Sequence, residues 1–136
     1  MIWMLDTDTV GSLINRSPGA PHIRRRLSGR SPGEIRLSAI TVAEIRYGVA
    51  AGDVSEERED ALAEFLDLFQ LDDFPVAAAA DYGEIRVALE RAGTMIGPYD
   101  LLIAAHARYI GATLVTNNEA EFRRVPRLAV QNWTKP

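Results

Sequence analysis

Apolar and polar positions along this chain follow two rhythms. Short, mostly apolar runs at 2–5 (IWML), 35–38 (IRLS), 113–116 (TLVT) and 128–131 (LAVQ) are each followed by polar residues, as buried strands are. Between them, the segments 41–52, 55–70, 77–93 and 98–111 carry apolar residues at helical spacing. Gly52, Gly93 and Gly111 stand where a helix-ending glycine belongs, and Pro98 suits a first helical turn. Asn15 to Gly19 and Arg30 to Gly33 read as turns. Strands alternating with helices predict an α/β fold with a mostly parallel central sheet flanked by helices. No repeat, linker or low-complexity tract interrupts the pattern, so a single domain over residues 1–136 is expected.

Composition narrows the class. The 136 residues are 47% hydrophobic and 25% charged, ordinary values for a soluble globular protein. Cysteine is absent, which excludes a disulfide framework, a thiolate metal site and a thiol nucleophile. The N-terminal MIWMLDTDTV has no basic leader, and its apolar run is too short to span a membrane, so a cytoplasmic location is the expectation. A net charge of −4 argues against general polyanion binding. The arginines are nevertheless grouped, at Arg24, Arg25, Arg26 and Arg30 and again at Arg123, Arg124 and Arg127. Arginine is the better bidentate phosphate ligand.

The candidate chemistry lies in the acids. In a parallel sheet, ligands bind beyond the carboxyl ends of the strands. Asp6 and Asp8 follow the first strand, Glu44 follows the second, and Asn118 and Glu121 follow TLVT. Asp100 opens the helix leading into TLVT, which begins at the same edge. Taken singly, each acid has a sufficient structural explanation. Asp6 or Asp8 could cap a helix, and Thr41-x-x-Glu44 and Asn118-x-x-Glu121 have capping-box spacing. Asp100 could answer the helix dipole. His22 and His106 lack ligand spacing and read as structural. Gathered on one rim, however, the acids repel one another and call for a cation. Oxygen donors without histidine or cysteine favour Mg²⁺ or Mn²⁺.

The ordered set MIWMLDTDTV, SAITVAEIRYGV and IGPYDLLIAAHARYIGATLVTNNEAEFRRVPRLAVQNW resembles the PIN-domain family, in particular the VapC-type toxins. The resemblance implies Asp6, Glu44, Asp100 and Glu121 as the catalytic acids, with Asp6 and Asp100 on the metal. Asp8, Thr116 and Asn118 match the family's polar supports. Position 121 is Glu where many relatives have Asp. It further implies a Mg²⁺- or Mn²⁺-dependent endoribonuclease acting on tRNA or another structured RNA. Its implied partners are a VapB-type antitoxin, a second copy in a homodimer, and a higher-order toxin–antitoxin complex; no membrane is implied. The segment 55–70, with Leu62, Phe65, Leu66 and Phe69 as an apolar stripe, could form part of the antitoxin groove or pack wholly into the core.

Two other classes compete. LDTDTV also resembles the opening motif of haloacid dehalogenase-type phosphatases, with Asp6 as nucleophile and Asp8 as acid–base. A receiver-like signalling domain, or a PIN fold kept only for binding, would be non-enzymatic. The first two expect a lysine at the site, and the sole lysine is Lys135 in the tail.

Overall fold

The computed structural model describes residues 1–52 and 55–136. Five strands, β1 (Trp3–Leu5), β2 (Ile35–Ser38), β3 (Gln70–Asp72), β4 (Thr113–Val115) and β5 (Val130–Gln131), form one sheet in the order β3-β2-β1-β4-β5. Every pairing is parallel. The helices are α1 (Thr7–Ile14), α2 (Ala20–Leu27), α3 (Ala39–Ala50), α4 (Glu56–Leu66), α5 (Ala78–Ala92), α6 (Pro98–Ile110) and α7 (Glu119–Phe122).

The alternation of a buried strand divides the core in two. Trp3 and Leu5 face a layer containing Val10, Leu13, Ile23, Ile45 and Leu62, contributed by α1 to α4. Met4, between them, faces the other layer with Ile85, Leu89, Leu101 and Ile103 from α5 and α6. Helix α6 buries Leu101 and the run Ile103 to Ala107. Its alanines let it lie close to α5 and the sheet. The chain builds β1-β2-β3 outward in one direction, then returns to lay β4 on the other side of β1. A crevice therefore opens between the carboxyl ends of β1 and β4, at the point where strand order reverses.

The four predicted strands are present, each within two residues of its expected limits. The segment 55–70 departs from expectation. Its helix ends at Leu66, Phe69 turns into the core, and Gln70–Asp72 adds β3 at the sheet edge. A three-residue edge strand with two exposed positions carries too little pattern to announce itself. Helix α2, which carries Arg24 to Arg26, was also unforeseen. Gly93 and Gly111 end their helices in the left-handed region, at φ 66° and 71°, as expected. Gly52 follows the cap of α3 without adopting a positive φ.

Candidate active site

Asp6 is the first residue beyond β1, and it is 1% exposed. Its backbone N–H donates to the Val115 carbonyl at 3.0 Å, so parallel pairing continues one residue past the strands. One carboxylate oxygen accepts from Thr9 N–H at 2.9 Å and caps α1. The other accepts from Thr116 Oγ1 at 2.6 Å, across the crevice. Asp6 is therefore both a cap and a member of the rim. Thr116 is buried at the end of β4, and its hydroxyl also accepts from Asn118 N–H at 2.9 Å.

Glu44 departs from its capping-box reading. Helix α3 starts at Ala39, capped by Ser38, whose hydroxyl accepts from Ile40 N–H at 3.1 Å. Thr41 is thus already inside the helix, and Glu44 sits in the second turn. Its Oε1 accepts from Thr7 Oγ1 on α1 at 2.7 Å. Asn118 likewise stands at a cap position without making a side-chain cap. Its amide donates instead to Asp8. The hydroxyls of Thr7 and Thr9 are supports that the motif reading did not single out. Their signal was the alternation in LDTDT, where a threonine follows each acid.

Asp100 occupies the first turn of α6. Its carboxyl is pushed up to about 6, first by burial and then by the negative charge of Asp6, Glu121, Asp8 and Glu44. Asp100 thus lies within electrostatic reach of the other four acids. Burial also raises the Asp6 carboxyl, against the opposing hydrogen bonds from Thr116 and Thr9, with Asp8 adding a smaller upward push. A carboxyl whose proton is held by surrounding negative charge is one that a cation would discharge. The donor set is oxygen only, which fits a hard divalent ion.

Among the described residues, no three histidine, aspartate or glutamate side chains are grouped closely enough to form a complete ligand set. The hydrogen bonds account for this. Asp6 turns to Thr9 and Thr116, Glu44 to Thr7 and Asp8 to Asn118, so these three acids each have a neutral donor. His22 and His106 lie outside this set. His106 is buried and pairs with Ser38.

A parallel sheet with an acidic rim at its switch point defines the class, an α/β fold with its candidate site beyond the strand ends. Comparison with known proteins narrows it: residues 3–128 match the PIN domain, and the chain belongs to the PIN-domain family. It is 41% identical over 135 residues to ribonuclease VapC2 of Rickettsia felis, covering 99% of this chain and 100% of that protein. It is 39% identical over 132 residues to the tRNA(fMet)-specific endonuclease VapC of Salmonella typhimurium, covering 96% and 97%. Among solved structures, VapBC2 from Rickettsia felis bound to a promoter DNA fragment superposes with a TM-score of 0.85 at 38% identity over 98% of this chain and 99% of that one. VapBC-1 from nontypeable Haemophilus influenzae gives 0.88 at 33% identity over 99% and 100%.

The phosphatase and receiver readings give way to this family. Lys135, the lysine those chemistries would need, pairs with Glu119 at 3.2 Å. Among the described residues, no helix is long and apolar enough to cross a membrane.

Proposed function

We propose that this chain is the toxin of a toxin–antitoxin pair: a divalent-metal-dependent endoribonuclease that hydrolyses phosphodiester bonds of tRNA or another structured RNA. One domain, residues 1–136, carries the activity, and Mg²⁺ or Mn²⁺ serves it. The observation that carries the reading is the placement of Asp6, Asp8, Glu44 and Glu121 around Asp100, whose carboxyl is pushed up to about 6 by burial first and by these four charges second.

Asp6 and Asp100 are the residues that would hold the ion. When bound, a divalent cation neutralises charge on the phosphate and acidifies a water. The protein's own groups do the rest. Thr116 and Thr9 fix the Asp6 carboxylate in one orientation. Thr7 holds Glu44 facing the crevice, where its carboxylate can take a proton from the attacking water. Asn118 and Asp8 brace each other at the outer edge. Glu121, one methylene longer than aspartate, reaches the site from α7. The direct test is purified protein, freed of any partner, incubated with RNA with and without chelator, followed by end-mapping. The reading requires chelator-sensitive cleavage leaving 5′-phosphates, abolished in Asp6→Asn and Asp100→Asn.

The partner reading has its own physical support. A groove of about 850 Å³ between α1, α2 and α4 is floored by Leu13, Leu27, Ile35, Leu62, Phe65 and Phe69. Arg16, Arg24 and Arg30 line it as well, with Asp67 the single acid among the described residues. A second, more polar groove of about 530 Å³ shares Ile14, Val49 and Arg58 with it and runs to Thr7 and Asp8. An antitoxin segment with apolar anchors and acidic flanks suits the first groove. Continuing along the second, a basic side chain of the same segment would meet the acidic rim. The toxin is also proposed to form homodimers within a larger complex.

A further inference from the structure

The acids of the rim ride on separate helices, which their like charges push apart. Glu44 is on α3 and Asp100 on α6, and the two helices pack together. Behind the rim, a single hydroxyl ties them. Ser38 closes β2, and its Oγ caps α3 by accepting from Ile40 N–H at 3.1 Å. The same oxygen lies 2.8 Å from His106 Nδ1 on α6. Both side chains are 0% exposed. Glu44 lies six residues after Ser38, and Asp100 six residues before His106. At a rise of about 1.5 Å per residue, each acid stands about 9 Å along its helix from the link.

Packing alone does not explain the histidine. Its other nitrogen, Nε2, is buried with no hydrogen-bond partner among the described residues, and the ring meets Phe74 edge-on at 5.4 Å. A leucine would fill much of this space without stranding a polar atom. Burial also holds the imidazole below its ordinary pKa, so the link is a neutral hydrogen bond at pH 7. What the histidine adds over an apolar residue is the bond to Ser38.

We infer that His106 is a positioning residue: through Ser38 it locks the start of α3 to α6 and so sets the separation of Glu44 and Asp100. Both consequences rest on the metal site proposed above; that for turnover rests also on the nuclease reading.

The experiment measures binding of Mn²⁺ alone by calorimetry, beside steady-state cleavage of an RNA substrate. His106→Leu is expected to keep a melting temperature at or above wild type while weakening Mn²⁺ binding by about ten-fold. Its kcat should fall by about ten-fold with KM for RNA unchanged. His106→Asn, whose amide can reach the same hydroxyl, should recover most of both losses. Ser38→Ala should weaken Mn²⁺ binding as His106→Leu does, Ser38→Thr should not, and combining Ser38→Ala with His106→Leu should add little. If the leucine variant fails to fold, the Ser38 variants decide. Wild-type Mn²⁺ affinity in folded His106→Leu or Ser38→Ala, or an asparagine variant as weak as the leucine one, overturns the inference. Weakened Mn²⁺ binding in a protein that cuts no RNA would uphold the link and sink the nuclease reading instead.

Discussion

Asp100 shows how one side chain can carry information about four others. Its carboxyl is held at about 6, above the ordinary 3.8, by burial and by Asp6, Glu121, Asp8 and Glu44. A carboxyl whose folded-state pKa is raised favours folding most below its unfolded value, and that contribution is lost as pH rises through the folded one. The metal-free protein should therefore lose stability between about pH 4 and 6, and Asp100→Asn should flatten that slope. Thermal melts across this window check it; an unchanged slope in the variant would mean that Asp100 does not feel its neighbours. Activity should run the opposite way, rising through about pH 6, because a cation competes with the proton for the same oxygens. Glu44 separates two roles that its sequence could not. Since Ser38 caps α3, Glu44→Gln should not show the loss of about 0.5–2 kcal/mol expected of a missing cap. It should lower kcat with wild-type stability. For Glu121→Gln, a smaller fall in rate is expected. Wild-type turnover in Glu44→Gln would remove it from the site.

At the scale of elements, legibility tracked pattern length. Helix α6 was readable because Pro98 opens it, Gly111 closes it and the apolar run between them is continuous. Gly111 sits at φ 71°, where a side chain costs about 1–2 kcal/mol. Gly111→Ala should lower stability by about that amount while leaving kcat untouched, which a denaturant titration beside a cleavage assay will measure. Strand β3 was not readable. Its three residues lie beyond a helix whose apolar spacing runs on through Phe69, and only pairing with β2 makes them a strand. The capping box at Thr41 misled for a related reason: local spacing cannot say which of two hydroxyls, Ser38 or Thr41, begins the helix. Register with the sheet decides, because β2 ends at Ser38. The stripe on α4 splits between its two expected fates. Leu62 and Leu66 are buried in the toxin's own core, whereas Phe65 is only partly covered and lines the groove. Phe65→Asp should therefore release a co-expressed antitoxin while RNA cleavage by the free toxin persists. Retention of the antitoxin on a tagged Phe65→Asp toxin would move the docking site elsewhere.

For the molecule as a whole, the candidate site was legible because topology does the assembling. Asp6, Glu44, Asp100 and Glu121 are far apart in sequence, yet a parallel sheet brings the carboxyl ends of its strands to one edge, and the reversal at β1 and β4 opens the crevice there. What the sequence could not supply was the uncharged layer beneath the acids. Thr7, Thr9, Ser38 and His106 look like filler until the fold sets Thr7 against Glu44, Thr9 against Val115 and Ser38 against His106. Through its threonines, and with Asn118, that layer gives Asp6, Glu44 and Asp8 each a neutral donor, which offsets part of the cost of gathering these carboxylates. It also predicts how the whole chain responds to metal. Binding to the folded state alone stabilises by about 2.7 kcal/mol at a hundred-fold excess over Kd. Adding Mg²⁺ or Mn²⁺ at neutral pH should therefore raise the melting temperature of the purified protein in a concentration-dependent way. The increment should shrink in Asp6→Asn and Asp100→Asn, although those variants should melt at or above wild type without metal, having lost a repelling charge. A metal-induced shift of equal size in wild type and in both variants would place the ion somewhere other than this rim.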